Sequence, residues 1–500
     1  MRASYRVFAL TFVFLLSPLG LTLPGCGTQA TNLVTGETVR GAYSWQEEVQ
    51  IGREADPQIR ATFGVYEDNG VQTYVEQLGQ EVLQTSAYTD PGTPAEVRNT
   101  PFHFTVLDSP VPNAMALPGG YIYVTRGLLA HLENEAQLAM VLGHEIGHVL
   151  ARHSSRQALS AQRGQLGLLG AALGSAVIGA DPGVTQGILE YGGTGVQLLF
   201  LKYSRDAERE ADLAGVAYAE YAGYDAAEAA AFFRALERIS EQGGGGIPPF
   251  LSTHPDPAER EQTIPELAAQ YDTGTQVNQA QYLARIEGMV LGDDPRQGFV
   301  ESSTFYHPDL RFRFDIPRGW NAANSAAAVQ IAEPNGRAVM EFTFAQEQSS
   351  AEAAGRAFAS QQGFNVAEQG SATVGAGSAY AVAGTANTQQ GELGLVAYFI
   401  EYGDNVYRFM GLTAANDLPT YDDEFVQTFR SFDRLTDSRY LNRQPVRLEV
   451  VEAPRTAPFS QFLQGRPMPV GVSEEGLAII NNVQLNERIA AGTPLKLPEG

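Results

Sequence analysis

Gly143-His144-Glu145-Ile146-Gly147-His148 is the stretch that decides the fold of the first half of this chain. It contains the pattern His-Glu-x-x-His, and the preceding residues, 135–142, lack proline and are rich in helix formers. We therefore predict a helix over 134–152. Residues four apart lie on one face of a helix, so the two histidines can bind one zinc ion, with the glutamate beside them to activate water.

The composition limits the classes of function that fit. The chain has 500 residues, of which 44% are hydrophobic, and its net charge is −24. This length predicts two to four domains with sizeable cores. The acidic charge argues against a nucleic-acid partner and against binding an anionic membrane through basic patches.

The N-terminus has the features of an export signal. Residues 1–6 include two arginines, and an apolar run from Val7 to Leu16 follows them. This pattern predicts a signal peptide over 1–25. Leu23-Pro24-Gly25-Cys26 resembles a bacterial lipobox, and Cys26 is the single cysteine, so we predict lipidation there and a tether over 26–43. A plain signal peptide with an incidental cysteine is the alternative. Gly27 favours the outer membrane, on its periplasmic face.

A third metal ligand is needed, because a catalytic zinc site has three protein ligands. The extended pattern H-E-x-x-H-x-x-G-x-x-H fails, since the chain has Ala151 and Ser154 where it requires glycine and histidine. His153 is one position off, and we interpret it as a structural histidine.

Glu208 is the better candidate for the third ligand. Asp212 follows four residues later on the same face of a predicted helix over 202–222, so it could orient one of the histidines from behind. Glu210 competes as a ligand, but at 100° per residue it points about 200° away from Glu208.

The element pattern predicts an α+β chain. A mainly helical catalytic domain spans 44–272 and includes a strand at 102–107 and a hairpin at 113–125. A linker follows at 273–299, then an antiparallel α+β domain at 300–437 and a small βααβ-like unit at 445–500. The segment 164–198, rich in glycine, alanine and leucine, is either a mobile lid or groove-lining segment, or a buried helical pair.

Four motifs together carry a family resemblance. They are Asn113-Ala-Met-Ala-Leu-Pro-Gly-Gly120, His144-Glu-Ile-Gly-His148, Ser204-Arg-x-x-Glu208-x-x-Ala-Asp212 and His254-Pro-x-x-x-x-Arg260. In this order they resemble the gluzincin metallopeptidases of family forty-eight, which include the CAAX-prenyl endopeptidases and the HtpX heat-shock protease. The resemblance covers about 44–270 and is strongest to exported members.

The resemblance implies a site and a cofactor. It implies one zinc ion per chain, with His144, His148 and Glu208 as ligands and Glu145 as the base. Residues 300–437 in turn resemble a PsbP/Mog-like fold, and 445–500 weakly resemble a LysM-like unit that binds peptidoglycan.

The expected function is that of a lipid-anchored zinc endopeptidase acting on misfolded or unassembled envelope proteins. The edge formed by Asn113, Ala114, Met115 and Ala116 could hold the substrate as an added strand. His254 is either a loop anchor or a latch that occupies the fourth metal position, and Arg260 could stabilise the oxyanion. The rival functions are a non-catalytic envelope scaffold on a peptidase fold and a zinc hydrolase of peptidoglycan.

Overall fold

The computed structural model describes residues 28–163, 203–242, 250, 254, 256–345, 350–388 and 391–500. These residues form two compact units. The smaller unit is 300–441, and the larger unit combines the described parts of 28–299 with 442–500. Cys26, the predicted signal peptide and the segment 164–198 lie outside the described residues.

The larger unit is mainly helical, as predicted. Its helices are α1 (Trp45–Phe63), α2 (Asn69–Gln84), α3 (Ala95–Arg98), α4 (Arg126–His131), α5 (Glu135–Leu150), α6 (His153–Arg163), α7 (Arg205–Tyr221), α8 (Ala229–Gln242), α9 (Pro257–Ala268) and α10 (Gln279–Ile286). Its first strands are β1 (Thr28–Thr31), β2 (Thr38–Gly41), β3 (His103–Leu107), β4 (Ala114–Leu117) and β5 (Tyr121–Thr125). A capping box of Ser44 and Glu47 begins α1.

The predicted hairpin is confirmed as β4 and β5, which pair antiparallel. Strand β5 lies in the middle of a three-stranded sheet, with β3 parallel to it on one side and β4 on the other. Strand β4 is therefore an edge of this sheet. Helix α2 contacts β3, and α5 contacts β4 and β5, so the edge strand lies next to the helix that carries the histidine motif.

Helices α5 and α7 approach each other so closely that their backbones touch. A Cβ added to Gly143 would lie 3.0 Å from the carbonyl oxygen of Gly215, and one added to Gly147 would lie 2.7 Å from the Cβ of Ala214. Small residues on both helices permit this contact. It brings Glu208 and Asp212 beside a motif about sixty positions earlier in the sequence.

The first described segment differs from the tether that the sequence predicted. Strands β1 and β2 form an antiparallel hairpin, and this hairpin is bonded to the rest of the unit. The Leu33 amide donates to the Leu150 carbonyl, and the Tyr43 amide donates to the Ser155 hydroxyl. Residues 28–43 are thus an ordered part of the larger unit, because their polar backbone finds partners on α5 and α6.

The predicted linker is also part of this unit. Helix α10 spans Gln279–Ile286, and Tyr282 is fully buried with its hydroxyl donating to the carbonyl of Leu129. The sequence predicted a linker at 273–299 from a shift in composition, but Tyr282, Leu283 and Ile286 of this helix join the core.

The C-terminal residues 442–500 likewise belong to the larger unit and share its hydrophobic core. They contain β17 (Leu448–Glu452), β18 (Ala457–Pro458), α14 (Glu474–Ile480), β19 (Arg488–Ile489) and β20 (Pro494–Pro498). Strand β17 pairs with β20, as expected for a unit that closes on itself. A separate module was predicted, but Lys496 on β20 is buried and donates to the carbonyls of Ala130 and Leu132.

The smaller unit is an antiparallel α+β domain, as predicted. Its strands are β6 (Phe299–Glu301), β7 (Thr304–His307), β8 (Phe312–Asp315), β9 (Asn321–Asn324), β10 (Ala328–Ala332), β11 (Ala338–Phe344), β12 (Phe364–Val374), β13 (Gly377–Thr388), β14 (Gly391–Tyr402), β15 (Asn405–Ala414) and β16 (Asp433–Arg434). Seven of them form a sheet in the order β12-β13-β14-β15-β11-β10-β9. Its helices are α11 (Ala351–Ala359), α12 (Leu418–Arg430) and α13 (Ser438–Leu441), and Ser350 caps α11.

Among the described residues, no helix combines the length and the hydropathy needed to cross a bilayer.

Candidate metal centre

His144, His148 and Glu208, the three ligands expected from the sequence, lie together in the core of the larger unit. The Nε2 atoms of the two histidines lie 2.9 Å apart, and each is 3.5–3.6 Å from a carboxylate oxygen of Glu208. All three side chains are almost fully buried. Atoms bound to one tetrahedral zinc ion lie about 3–4 Å apart, so this spacing suits a single ion.

The chemistry of the donors supports the same conclusion. Two imidazoles and one carboxylate form the ligand set of many catalytic zinc sites. Burial holds the pKa of His144 at about 4 and lowers that of His148, so both imidazoles are neutral and offer lone pairs. Burial alone would raise the pKa of Glu208, but His254 and His144 outweigh it and keep the carboxylate ionised.

Asp212 contacts the Nδ1 atom of His144, on the side of the ring away from Glu208, and Arg260 contacts Asp212. The Nδ1 atom of His144 lies 2.9 Å from Asp212, the residue for which the sequence suggested an orienting role, and this contact restrains the ring. The guanidinium of Arg260 donates through Nε and Nη2 to the same carboxylate and lies over the ring of Phe233. The sequence interpretation placed Arg260 towards the substrate, whereas here two of its nitrogens are engaged by Asp212.

His153 occupies a position that the sequence interpretation missed. Its Nδ1 atom lies 2.8 Å from the Nδ1 atom of His148, and its Nε2 atom lies 3.0 Å from Glu210. Helix α5 ends at Leu150, two residues before the predicted end, and Arg152 adopts a left-handed φ of 59°. This turn directs His153 back towards the site, so helical periodicity could not reveal it.

Glu210 does not join the ligand group, in agreement with its predicted direction. It binds His153, Arg156 and Asn32 instead. Burial raises the pKa of Glu210, but hydrogen bonds from His153 and Arg156 outweigh burial and bring it to about 2.

Glu145 is fully buried, and neither of its carboxylate oxygens has a hydrogen-bond partner among the described residues. A buried carboxylate without partners is costly unless a ligand, water or ion satisfies it. Burial raises the pKa of Glu145 to about 7, which suits a group that takes and returns a proton near neutral pH.

His254 lies at the same centre. Its Nδ1 atom is 3.2 Å from both oxygens of Glu208, and its Nε2 atom is 3.7 Å from Glu145. His144, His148, Glu208 and His254 together could hold one ion. The ring of Phe250 stacks on His254 at 4.7 Å, and the His254 amide donates to the Phe250 carbonyl.

The four residues predicted to bind substrate follow the sheet edge. Asn113 precedes β4, and Ala114, Met115 and Ala116 lie on it. The Thr125 amide donates to the Asn113 carbonyl, so alternation along the pair directs the backbone groups of Ala114 and Ala116 away from β5. The side-chain oxygen of Asn113 is buried and has no partner among the described residues.

Comparison with known proteins supports the motifs. Residues 72–268 match the profile of Peptidase family M48. The chain is 30% identical over 242 residues to the beta-barrel assembly-enhancing protease of Escherichia coli (strain K12), covering 48% of this chain and 45% of that protein. It is 33% identical over 161 residues to the mitochondrial metalloendopeptidase OMA1 of Arabidopsis thaliana, covering 32% of this chain and 30% of that protein. The inferred family resemblance is confirmed, and the chain spans less than half the length of these relatives.

Among solved structures, the chain is similar to cyanobacterial PsbP (CyanoP) from Synechocystis sp. PCC 6803. The identity is 15% and the TM-score 0.23, and the match covers 27% of this chain and 96% of that one.

Proposed function

We propose that residues 72–268, which match the profile of Peptidase family M48, form a zinc-dependent endopeptidase domain. The observation that carries the proposal is the buried convergence of His144, His148 and Glu208 next to Glu145, whose carboxylate has no hydrogen-bond partner among the described residues. Three donors of this kind leave one position of a tetrahedral site open, as catalysis requires.

The chain's own residues divide the work of peptide hydrolysis. His144, His148 and Glu208 would hold the ion, which when bound supplies Lewis acidity to the scissile carbonyl. Glu145 takes a proton from the attacking water, whose oxygen forms a bond to the carbonyl carbon. Glu145 then passes that proton to the nitrogen as the C–N bond breaks. Arg260 contributes by neutralising Asp212, which orients His144.

The edge strand β4 supplies the place for substrate. The backbone groups of Ala114 and Ala116 face away from β5, and Ala116 is partly exposed, so an extended peptide can pair there as a further strand. The buried side-chain oxygen of Asn113, which has no hydrogen-bond partner in the part of the chain that the structure describes, adds an acceptor at the start of that edge. Recognition of this kind depends on the substrate backbone more than on its side chains, which suits unfolded protein substrates.

Glu145→Gln tests the proposal. It keeps the shape of the side chain but removes the base, so casein cleavage should fall by about 10²–10⁴-fold while one zinc per chain remains by metal analysis. Glu241→Gln, an exposed change on α8, should alter neither quantity. Wild-type protein without bound zinc, or Glu145→Gln protein that still cleaves casein, would contradict the proposed function.

The biological setting is proposed on different grounds. The matched relatives include a beta-barrel assembly-enhancing protease, and the N-terminus has a lipobox-like Cys26. These features support a lipoprotein on the periplasmic face of the outer membrane that removes misfolded or unassembled envelope proteins. Cys26→Ala should then move the protein to the soluble fraction with casein cleavage retained, whereas a variant that stays with membranes after a salt wash would exclude the anchor.

A non-catalytic scaffold is the rival function. The complete set of His144, Glu145, His148 and Glu208 in one buried cluster argues against it, because a scaffold has no use for buried, mutually facing ionisable groups.

Binding to peptidoglycan, proposed from the resemblance of the C-terminal residues, is separable from proteolysis and can be measured by sedimentation with isolated cell walls.

A further inference from the structure

The two ligand histidines are each bonded at their second ring nitrogen, but in different ways. Nδ1 of His144 meets the carboxylate of Asp212 directly. Nδ1 of His148 meets another imidazole, that of His153, which in turn meets Glu210. His148 and His153 are each only 2% exposed, so neither ring can exchange its partner for water.

The carboxylate of Glu210, the last group in the series His148–His153–Glu210, sets the direction of these hydrogen bonds. An ionised carboxylate only accepts, so Nε2 of His153 must carry a proton and donate to Glu210. In the neutral imidazole of His153, Nδ1 is then the acceptor, so Nδ1 of His148 is the donor. A neutral His148 with its proton on Nδ1 has its lone pair on Nε2, the atom that faces Glu208.

The carboxylate of Glu210 is itself held firmly. Its Oε2 atom accepts from Nη1 of Arg156 at 2.6 Å and from the side-chain amide of Asn32 at 2.9 Å, in addition to His153. Arg156 lies on α6 and Asn32 in the N-terminal hairpin between β1 and β2. The orientation of His148 therefore depends on an array built from three separate segments, since Glu210 lies on α7.

We propose that His153 and Glu210 are positioning residues that hold His148 in its metal-binding tautomer and orientation. The inference rests on the proposed function, because it takes His148 to be a zinc ligand. Asp212 and Arg260 do the same for His144 on the other side of the site. Removing the acceptor at 153 would leave a buried N–H without a partner and allow the imidazole of His148 to turn or change tautomer.

Zinc affinity, measured by chelator competition on the purified full chain, tests the proposal. His153→Leu should weaken zinc binding by about 10–100-fold. His153→Asn, which keeps an acceptor near the Nδ1 position, should recover part of the loss. Glu210→Ala should weaken binding in the same direction, whereas Asp206→Asn, an 87% exposed carboxylate on the same helix, should not.

The cobalt-substituted protein gives a second readout that a purely structural role would not move. The visible absorption bands of Co²⁺ report ligand geometry, so His153→Leu should shift them and His153→Asn should restore them. Circular dichroism of the metal-free variants establishes that each is folded.

Three outcomes decide the matter. Wild-type zinc affinity and an unchanged cobalt spectrum in folded His153→Leu overturn the proposal. If His153→Leu does not fold, Glu210→Ala decides, because the Glu210 side chain is one-fifth exposed and its loss is easier to tolerate. A wild-type chain that binds no zinc overturns both the proposed function and this inference. If the wild type binds zinc and the variants bind it equally well, only this inference is overturned.

Discussion

His254 is the residue whose position raises the most direct question about regulation. It is 2% exposed and contacts Glu208 and Glu145, the groups that would hold the ion and activate water. A neutral imidazole at this place could fill the open metal position and keep the enzyme latent. The alternative, a loop anchor, is supported by the stacking of Phe250 on its ring.

The substitution His254→Ala separates these two roles. A latch predicts faster casein cleavage or self-cleavage with zinc retained, because the position for water becomes free. Cleavage is compared with that of wild type and of His103→Ala, which removes an exposed histidine from the same unit. Equal or slower cleavage by folded, zinc-loaded His254→Ala would rule out a latch.

The pair of helices α5 and α7 is the element on which the site depends. Gly143 and Gly147 face Ala214 and Gly215, and the resulting close contact sets the distance between the histidines and Glu208. The glycine of the motif at 147 therefore has a packing role, since a larger residue would drive the two helices apart.

Gly147→Ala should destabilise the larger unit by about 1–3 kcal/mol through overpacking, although alanine favours a helix more than glycine does. The new methyl group would meet Ala214, so Ala214→Gly should relieve the clash. A double-mutant cycle in urea, together with zinc affinity, measures this coupling. Additive effects of the two substitutions would show that the helices adjust without strain.

At the scale of the whole molecule, the C-terminal residues complete the core of the catalytic unit. Lys496 is buried, and its ammonium donates to the carbonyls of Ala130 and Leu132, immediately before Asn134 caps α5. Burial lowers the pKa of Lys496 to about 8, so the group is still mainly charged at neutral pH. The end of the chain thus stabilises the start of the helix that carries the histidine motif.

Lys496→Met should lower the stability of the larger unit by about 1–3 kcal/mol, because two buried carbonyls lose their donor. The chain has two tryptophans, and each unit contains one. Fluorescence of Trp45 in a Trp320→Phe background reports the larger unit, and Trp320 in a Trp45→Phe background reports the smaller one. In Lys496→Met, only the unfolding midpoint reported by Trp45 should fall. Arg488→Met, a substitution of an exposed residue, should change neither midpoint. An unchanged Trp45 midpoint would contradict the role given to Lys496.

Local patterns in the sequence were sufficient for much of the catalytic part. The helix spacing of His144 and His148, the hairpin at 113–125 and the E-x-x-x-D spacing of Glu208 and Asp212 all involve neighbours in the chain. Backbone periodicity places such residues without knowledge of tertiary contacts. The α+β class follows from the same periodicities.

Only the tertiary structure decided the features that depend on contacts between distant segments. His153 reaches His148 because Arg152 takes a left-handed turn, and helical periodicity does not predict such a turn. Arg260 lies on Asp212 because α9 packs against α7, and Lys496 enters the core because β20 folds back beside α4. A sequence fixes which groups can form a hydrogen bond or an ion pair. Which of them meet depends on the packing of the whole unit, where burial makes each unpaired group costly.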